Sequence, residues 1–167
     1  MRLNRSLATN GVLAALYVVA TALIQPFGFT HIQFRVPEMF NHLVVFNKNY
    51  FWGIILGVFL SNLFFSPMAV YDISFGVAHS ALSLLITIGF GKFIKNIWIL
   101  MGINTLVFSF NMFIISFMVK NLLQVDLSFL FIWLTTFISE FVIMAIGIPV
   151  MYAIHKRLRF DQFMTKA

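Results

Sequence analysis

The chain has no cysteine, and only five of its 167 residues are acidic. Without cysteine there is no disulfide and no thiolate metal site. The four histidines, His31, His42, His79 and His155, are too far apart for an H-x-x-x-H ligand pair, and neither H-E-x-x-H nor G-x-S-x-G occurs. The Gly89-Phe90-Gly91-Lys92 run is not a phosphate-binding loop. Ile86 stands where that loop needs glycine, and Phe93 follows the lysine in place of Ser or Thr. The chain therefore has no route to ATP hydrolysis through that motif. No metal or cofactor is expected.

What is present is hydrocarbon. Apolar residues make up 61% of the sequence, 22 of them phenylalanine, and charged residues only 10%. The mean hydropathy is +0.97. Runs such as Ile54-Ile55-Leu56 and Leu84-Leu85-Ile86 do not alternate, which argues against a membrane β-barrel. The expected class is an all-α integral membrane protein, with residues 1–167 as a single transmembrane domain. The net charge of +6 is not a nucleic-acid signal, because the basic residues sit at the ends of apolar runs.

Six spans are expected, at approximately 8–24, 38–46, 51–65, 73–90, 97–118 and 128–154. The second falls short of the roughly 20 residues a spanning helix needs, so it is expected to be a half-helix enclosed by its neighbours. With the amino terminus inside, nine of the 11 Lys and Arg residues face the cytoplasm, and only Arg35 and Lys120 face out. Both termini are then cytoplasmic. Trp52 and Trp98 fall at the inner interface and Trp133 near the outer one. Arg2, Arg5 and the Ala20-Thr21-Ala22 run also have the form of a signal peptide, but the first apolar run is kept as a span.

Polar groups inside these spans need a reason, since ionisable side chains in a bilayer are costly. Glu38 opens the second span. Asn62 lies in the last turn of the third, and Asp72 at the outer mouth of the fourth. His79 is roughly 10 Å deeper, Asn111 two turns from the outer end of the fifth span, and Glu140 about 18 Å into the sixth. Together they outline a pocket open to the outside. Each has a plainer reading. Glu38 after Pro37 fits a helix's first turn, and Asp72 fits an N-cap. His79 can bond a carbonyl or Ser83, and Asn62, Asn104 and Asn111 can join helices. Arg35 can anchor at the interface or pair with Glu38. Glu140, near the midplane, has no interface to reach and is the hardest to explain without a cavity. In the first span, Gly11 and Ala15 form a small-xxx-small pair, suited to packing within the bundle or against another helix.

Several runs resemble a known family. Gly11-Val12-Leu13-Ala14-Ala15-Leu16-Tyr17-Val18-Val19 resembles the opening of the substrate-binding (S) components of energy-coupling factor (ECF) transporters. Ile32-Gln33-Phe34-Arg35-Val36-Pro37-Glu38 is similar to the signature of the QueT branch, the queuosine-precursor transporters, as are the runs Gly57 to Pro67 and Asp72 to Gly76. The resemblance implies a six-helix S component in the plasma membrane. It would capture a 7-deazaguanine from outside and join a transmembrane coupling protein and two ATPases. Gly11 and Ala15 match the pair that docks on the coupling protein. Glu38, and after it Glu140, would accept the adjacent N–H donors of the base, and Asp72 would balance an aminomethyl cation. Asn62, Asn111 or His79 would donate to the ring carbonyl, and Gln33 and Arg35 would lie in the covering loop. The alternatives are an S component for riboflavin, thiamin or biotin, an intramembrane acid–base enzyme using Glu38, His79 and Glu140, or an assembly subunit.

Overall fold

Hydrocarbon supplies no partner for a backbone N–H or C=O, so each apolar run closes its own hydrogen bonds as a helix. The computed structural model describes residues 2–28 and 35–163, and every regular element among them is helical. Helix α1 is Arg2–Gly28. A 3-10 segment, Val36–His42, runs into the one-turn α2, Leu43–Phe46. A 3-10 turn at Lys48–Tyr50 leads to α3, Phe51–Phe65. Then come α4, Ala69–Phe90, α5, Ile97–Asn111, and α6, Phe113–Asn121. The 30-residue α7, Phe129–Leu158, and the short α8, Phe160–Phe163, complete the order.

Four stretches are long and apolar enough to cross a membrane: Arg5–Ile24, Ala69–Phe90, Ile97–Asn121 and Phe129–Leu158. The expected span 51–65 has its predicted bounds but is only 15 residues long, and the expected span 38–46 is mostly 3-10 in character. The expected span 97–118 is two helices that meet at Met112. Helix α4 begins four residues earlier than expected, which puts Asp72 inside the first turn and leaves Met68 as the N-cap.

The helices are inside-out relative to a water-soluble protein. Large apolar side chains such as Val12, Leu16, Phe93, Leu106, Ile138 and Ile146 face outward, while Glu38, Asn41, His42, Asp72, His79, Asn104 and Glu140 are buried. A central apolar cluster of Ile54, Leu84, Met101, Phe108 and Met144 fills the space between them.

Helices α1 and α3 run parallel along a seam set by glycine. A Cβ on Gly57 would stand 2.7 Å from Tyr17 Cβ, and one on Gly53 would stand 2.9 Å from the Asn10 carbonyl oxygen. Both distances are inside van der Waals contact, so the approach depends on hydrogen in place of a side chain. Asn10 Oδ1 accepts the Gly53 N–H at 3.0 Å, which satisfies one of the free donors at the start of α3. Farther along the seam, Thr21 Oγ1 donates to Ser61 Oγ at 3.1 Å. The small pair singled out in sequence, Gly11 and Ala15, is exposed on the other face of α1, and a Cβ at Gly11 would meet nothing within 4 Å among the described residues. Packing inside the bundle is thus the work of Gly53 and Gly57, not of Gly11 and Ala15.

Gly57→Ala forces α1 off α3 and is expected to destabilise the protein by about 1–3 kcal/mol. Gly11→Ala should leave stability unchanged or slightly higher, because it meets no neighbour and favours helix. Thermal unfolding of the two variants in detergent checks the contrast.

Candidate binding site

The site is built on the segment between α1 and α2. Pro37 fixes the entry to the 3-10 turn, and the Glu38 N–H closes on the Arg35 carbonyl at 2.9 Å. Polar residues then recur at 38, 41 and 42, on one face of the turn, and that face points into the bundle. Glu38 is 2% exposed. Tyr17 Oη donates to its Oε1 at 2.9 Å, and Asn41 Nδ2 donates to its Oε2. Glu38 does stand in the first turn of the 3-10 segment, and its carboxylate is engaged there by the side chains of Tyr17 and Asn41.

His42 pins the segment to the rest of the bundle. Its Nε2–H donates to the Met144 carbonyl of α7 at 2.9 Å, which leaves Nδ1 to accept from Asn104 Nδ2 of α5 at 3.2 Å. Asn104 Oδ1 in turn accepts from Thr87 Oγ1 of α4 at 2.7 Å. One relay therefore ties four parts of the chain together, and a neutral histidine with a fixed tautomer satisfies every bond in it. Gly147 lets α7 come close, since a Cβ there would meet Met39 Cβ at 2.8 Å.

The predicted site residues divide into two groups. Glu38, Arg35 and Asn62 gather around a small cavity that Tyr17, Thr21 and Ser61 also line. Its volume of about 20 Å³ is room for roughly one water. Glu140 is 2% exposed on α7 and lies within the electrostatic reach of both Glu38 and Arg35. Its Oε1 and the Asn41 Oδ1 are buried with no hydrogen-bond partner among the described residues.

The second group joins helices. The Asp72 carboxylate accepts from Ser66 Oγ, which itself accepts the Met68 N–H at 2.9 Å, so this acid closes the α3–α4 connection. The Asp72 carbonyl takes Asn62 Nδ2 at 2.8 Å. His79 Nε2 donates to the Phe108 carbonyl at 3.0 Å, while its ring remains within the field of Glu38 and Arg35. Asn111 Nδ2 donates to Ser83 Oγ at 2.9 Å. Gln33 lies outside the described residues. Sequence reasoning missed Tyr17, Asn41, His42 and the partners of Asn104, whose helix-joining role it had expected. The polar spacing of 38, 41 and 42 was the available signal for the middle two. Among the described residues no group of three or more His, Cys, Asp or Glu side chains is arranged to hold a metal ion.

Residues 7–156 match the QueT transporter family. One similar protein is the queuosine precursor transporter QueT of Lactococcus lactis subsp. cremoris (strain MG1363). It is 30% identical over 160 residues, which cover 91% of this chain and 93% of the relative. No solved structure matches the chain.

Removing the middle of the relay tests its role as an anchor. Asn104→Ala leaves His42 Nδ1 and Thr87 Oγ1 without that partner, at a cost of about 1–3 kcal/mol. Amide hydrogen exchange should then speed up across residues 36–46 more than across α5 itself.

Proposed function

The chain belongs to the QueT transporter family, and from that premise we propose that it is the substrate-binding membrane subunit of an ECF-type importer for a 7-deazaguanine precursor of queuosine. The observation that carries this reading is Glu38, a carboxylate held 2% exposed at the centre of a polar cluster inside an otherwise hydrocarbon bundle. Such a group is expensive to keep unless it serves a solute. A deazaguanine suits it, because adjacent N–H donors on one edge match carboxylate and amide acceptors. The name of the Lactococcus relative supports the same substrate class.

The finer arrangement follows from this reading. Residues 1–167 form one domain of six spans in the plasma membrane, counting 38–46 and 51–65, with both termini cytoplasmic. Arg35, Glu38, Asn62 and Glu140 form the site that takes the base. Asp72, His79 and Asn111 hold the walls through their bonds to Ser66, Phe108 and Ser83. Since the sequence contains no phosphate-binding loop, two partner ATPases supply the energy through a transmembrane coupling protein. The exposed Gly11 and Ala15 face of α1 is the docking surface for that protein, because small side chains admit a close helix.

Two measurements test the reading. A 7-deazaguanine at 100 times its dissociation constant should stabilise the purified protein by about 2.7 kcal/mol. A thermal shift with riboflavin, thiamin or biotin and none with deazaguanines would assign a different substrate. Recovery of a chemically altered ligand would make the protein an enzyme. Replacing Gly11 and Ala15 with leucine should abolish uptake in cells while leaving binding in detergent intact. Loss of binding in that variant would move those residues from docking to the fold.

A further inference from the structure

Glu38 stands at the middle of the site, yet each of its oxygens already has an internal donor, Tyr17 Oη on one and Asn41 Nδ2 on the other. The acceptors beside it are unmet. Glu140 Oε1 and Asn41 Oδ1 are buried without a partner among the described residues, on side chains 2% and 0% exposed. A buried acceptor in hydrocarbon has no solvent to turn to, and among the described residues no donor bonds either atom, although the Arg35 guanidinium lies within electrostatic reach of Glu140. A ligand with two N–H donors can meet both.

The two atoms belong to one locale. Asn41 is bonded to Glu38, and Glu140 lies within the field of Glu38 and Arg35. The His42 to Met144 bond sets the register between the 3-10 segment and α7. Glu38 precedes His42 by four residues of 3-10 helix and Glu140 precedes Met144 by one α-helical turn, so the two acids lie about 8 Å and about 6 Å along their elements from that bond. The small cavity on the α1 and α3 side reaches Glu38, but its lining includes neither Asn41 nor Glu140.

We infer that Glu140 and Asn41 receive the N–H donors of the bound base, and that Glu38 is a positioning residue that holds Asn41 and is itself held by Tyr17. The inference rests on the substrate reading above and reverses the sequence-based order, which put Glu38 first. The ligand class is a flat aminopyrimidine edge with at least two N–H donors.

A cycle that edits both protein and ligand tests it. Calorimetry compares 7-deazaguanine with 7-deazahypoxanthine, the same ring lacking the exocyclic amine, on the purified full-length chain. The wild type should prefer the amine by about 100-fold or more, as a site built to bond a donor rejects its absence. Glu140→Gln should cut that preference about tenfold, because one of the two acceptor oxygens becomes an NH2 donor. Glu140→Asp, which keeps the carboxyl group and withdraws the oxygen, should cut it too, and serves if the first variant does not fold. Tyr17→Phe and Glu38→Gln should weaken both ligands equally and leave the preference unchanged. The swap E38Q/N41D re-forms the inner pair with donor and acceptor exchanged, keeps a free oxygen at 41, and should recover most of the affinity lost in E38Q. A preference that collapses in E38Q but survives at Glu140 would make Glu38 the direct contact and overturn the inference while the substrate reading stands. A wild-type preference near one overturns it as well. If the wild type binds neither base, the substrate reading itself fails.

Discussion

Hydrocarbon gives and takes no hydrogen bonds, and that constraint governs this molecule more than any single contact. Each buried polar side chain has to find its partner inside the bundle or be left wanting. Most find one. Asn10 bonds the start of α3, Asn62 the Asp72 carbonyl, His79 the Phe108 carbonyl, and Asn111 the Ser83 hydroxyl. These bonds are also what sets the helices against one another, because apolar packing alone discriminates little between lipid and protein. Two buried acceptors without a partner among the described residues, Glu140 Oε1 and Asn41 Oδ1, stand beside Glu38, and their pairing marks a candidate site within the structural polarity.

Much of this was legible in the sequence. The helical class followed from unbroken apolar runs, Glu140 stood out as an acid with nowhere wet to go, and Glu38 was placed at the opening of the second span. The bounds of α3 were readable because Phe51 to Phe65 ends at a Ser-Pro pair, and proline cannot follow within a helix. What sequence could not supply was the pairing. Asp72, His79 and Asn111 are polar groups within apolar runs as Glu140 is, and only their tertiary neighbours show that they are already engaged. The spacing of small residues was equally mute. Gly11 with Ala15 and Gly53 with Gly57 have the same form in the chain, and whether a face meets a helix or lipid is decided by the rest of the bundle.

The segment from Arg35 to Phe46 explains why a short, imperfect helix belongs in this architecture. It is too brief to span a bilayer and is largely 3-10 in character, so its own backbone holds it weakly. Its order comes from outside, through His42, Asn104 and Thr87, and through the close approach that Gly147 allows. A recognition element fixed by side chains in this way can be precise without being part of the rigid lattice of long helices.

Tyr17 has a second consequence. Its Cβ lies against Gly57 and its hydroxyl reaches Glu38, so a single ring is both the spacer between two helices and a donor to the acid. Positions 17, 38 and 57 therefore form one unit of epistasis. The fitness effect of exchanging any one of them depends on the occupants of the other two, and divergence among these three positions is expected to proceed in concert or not at all.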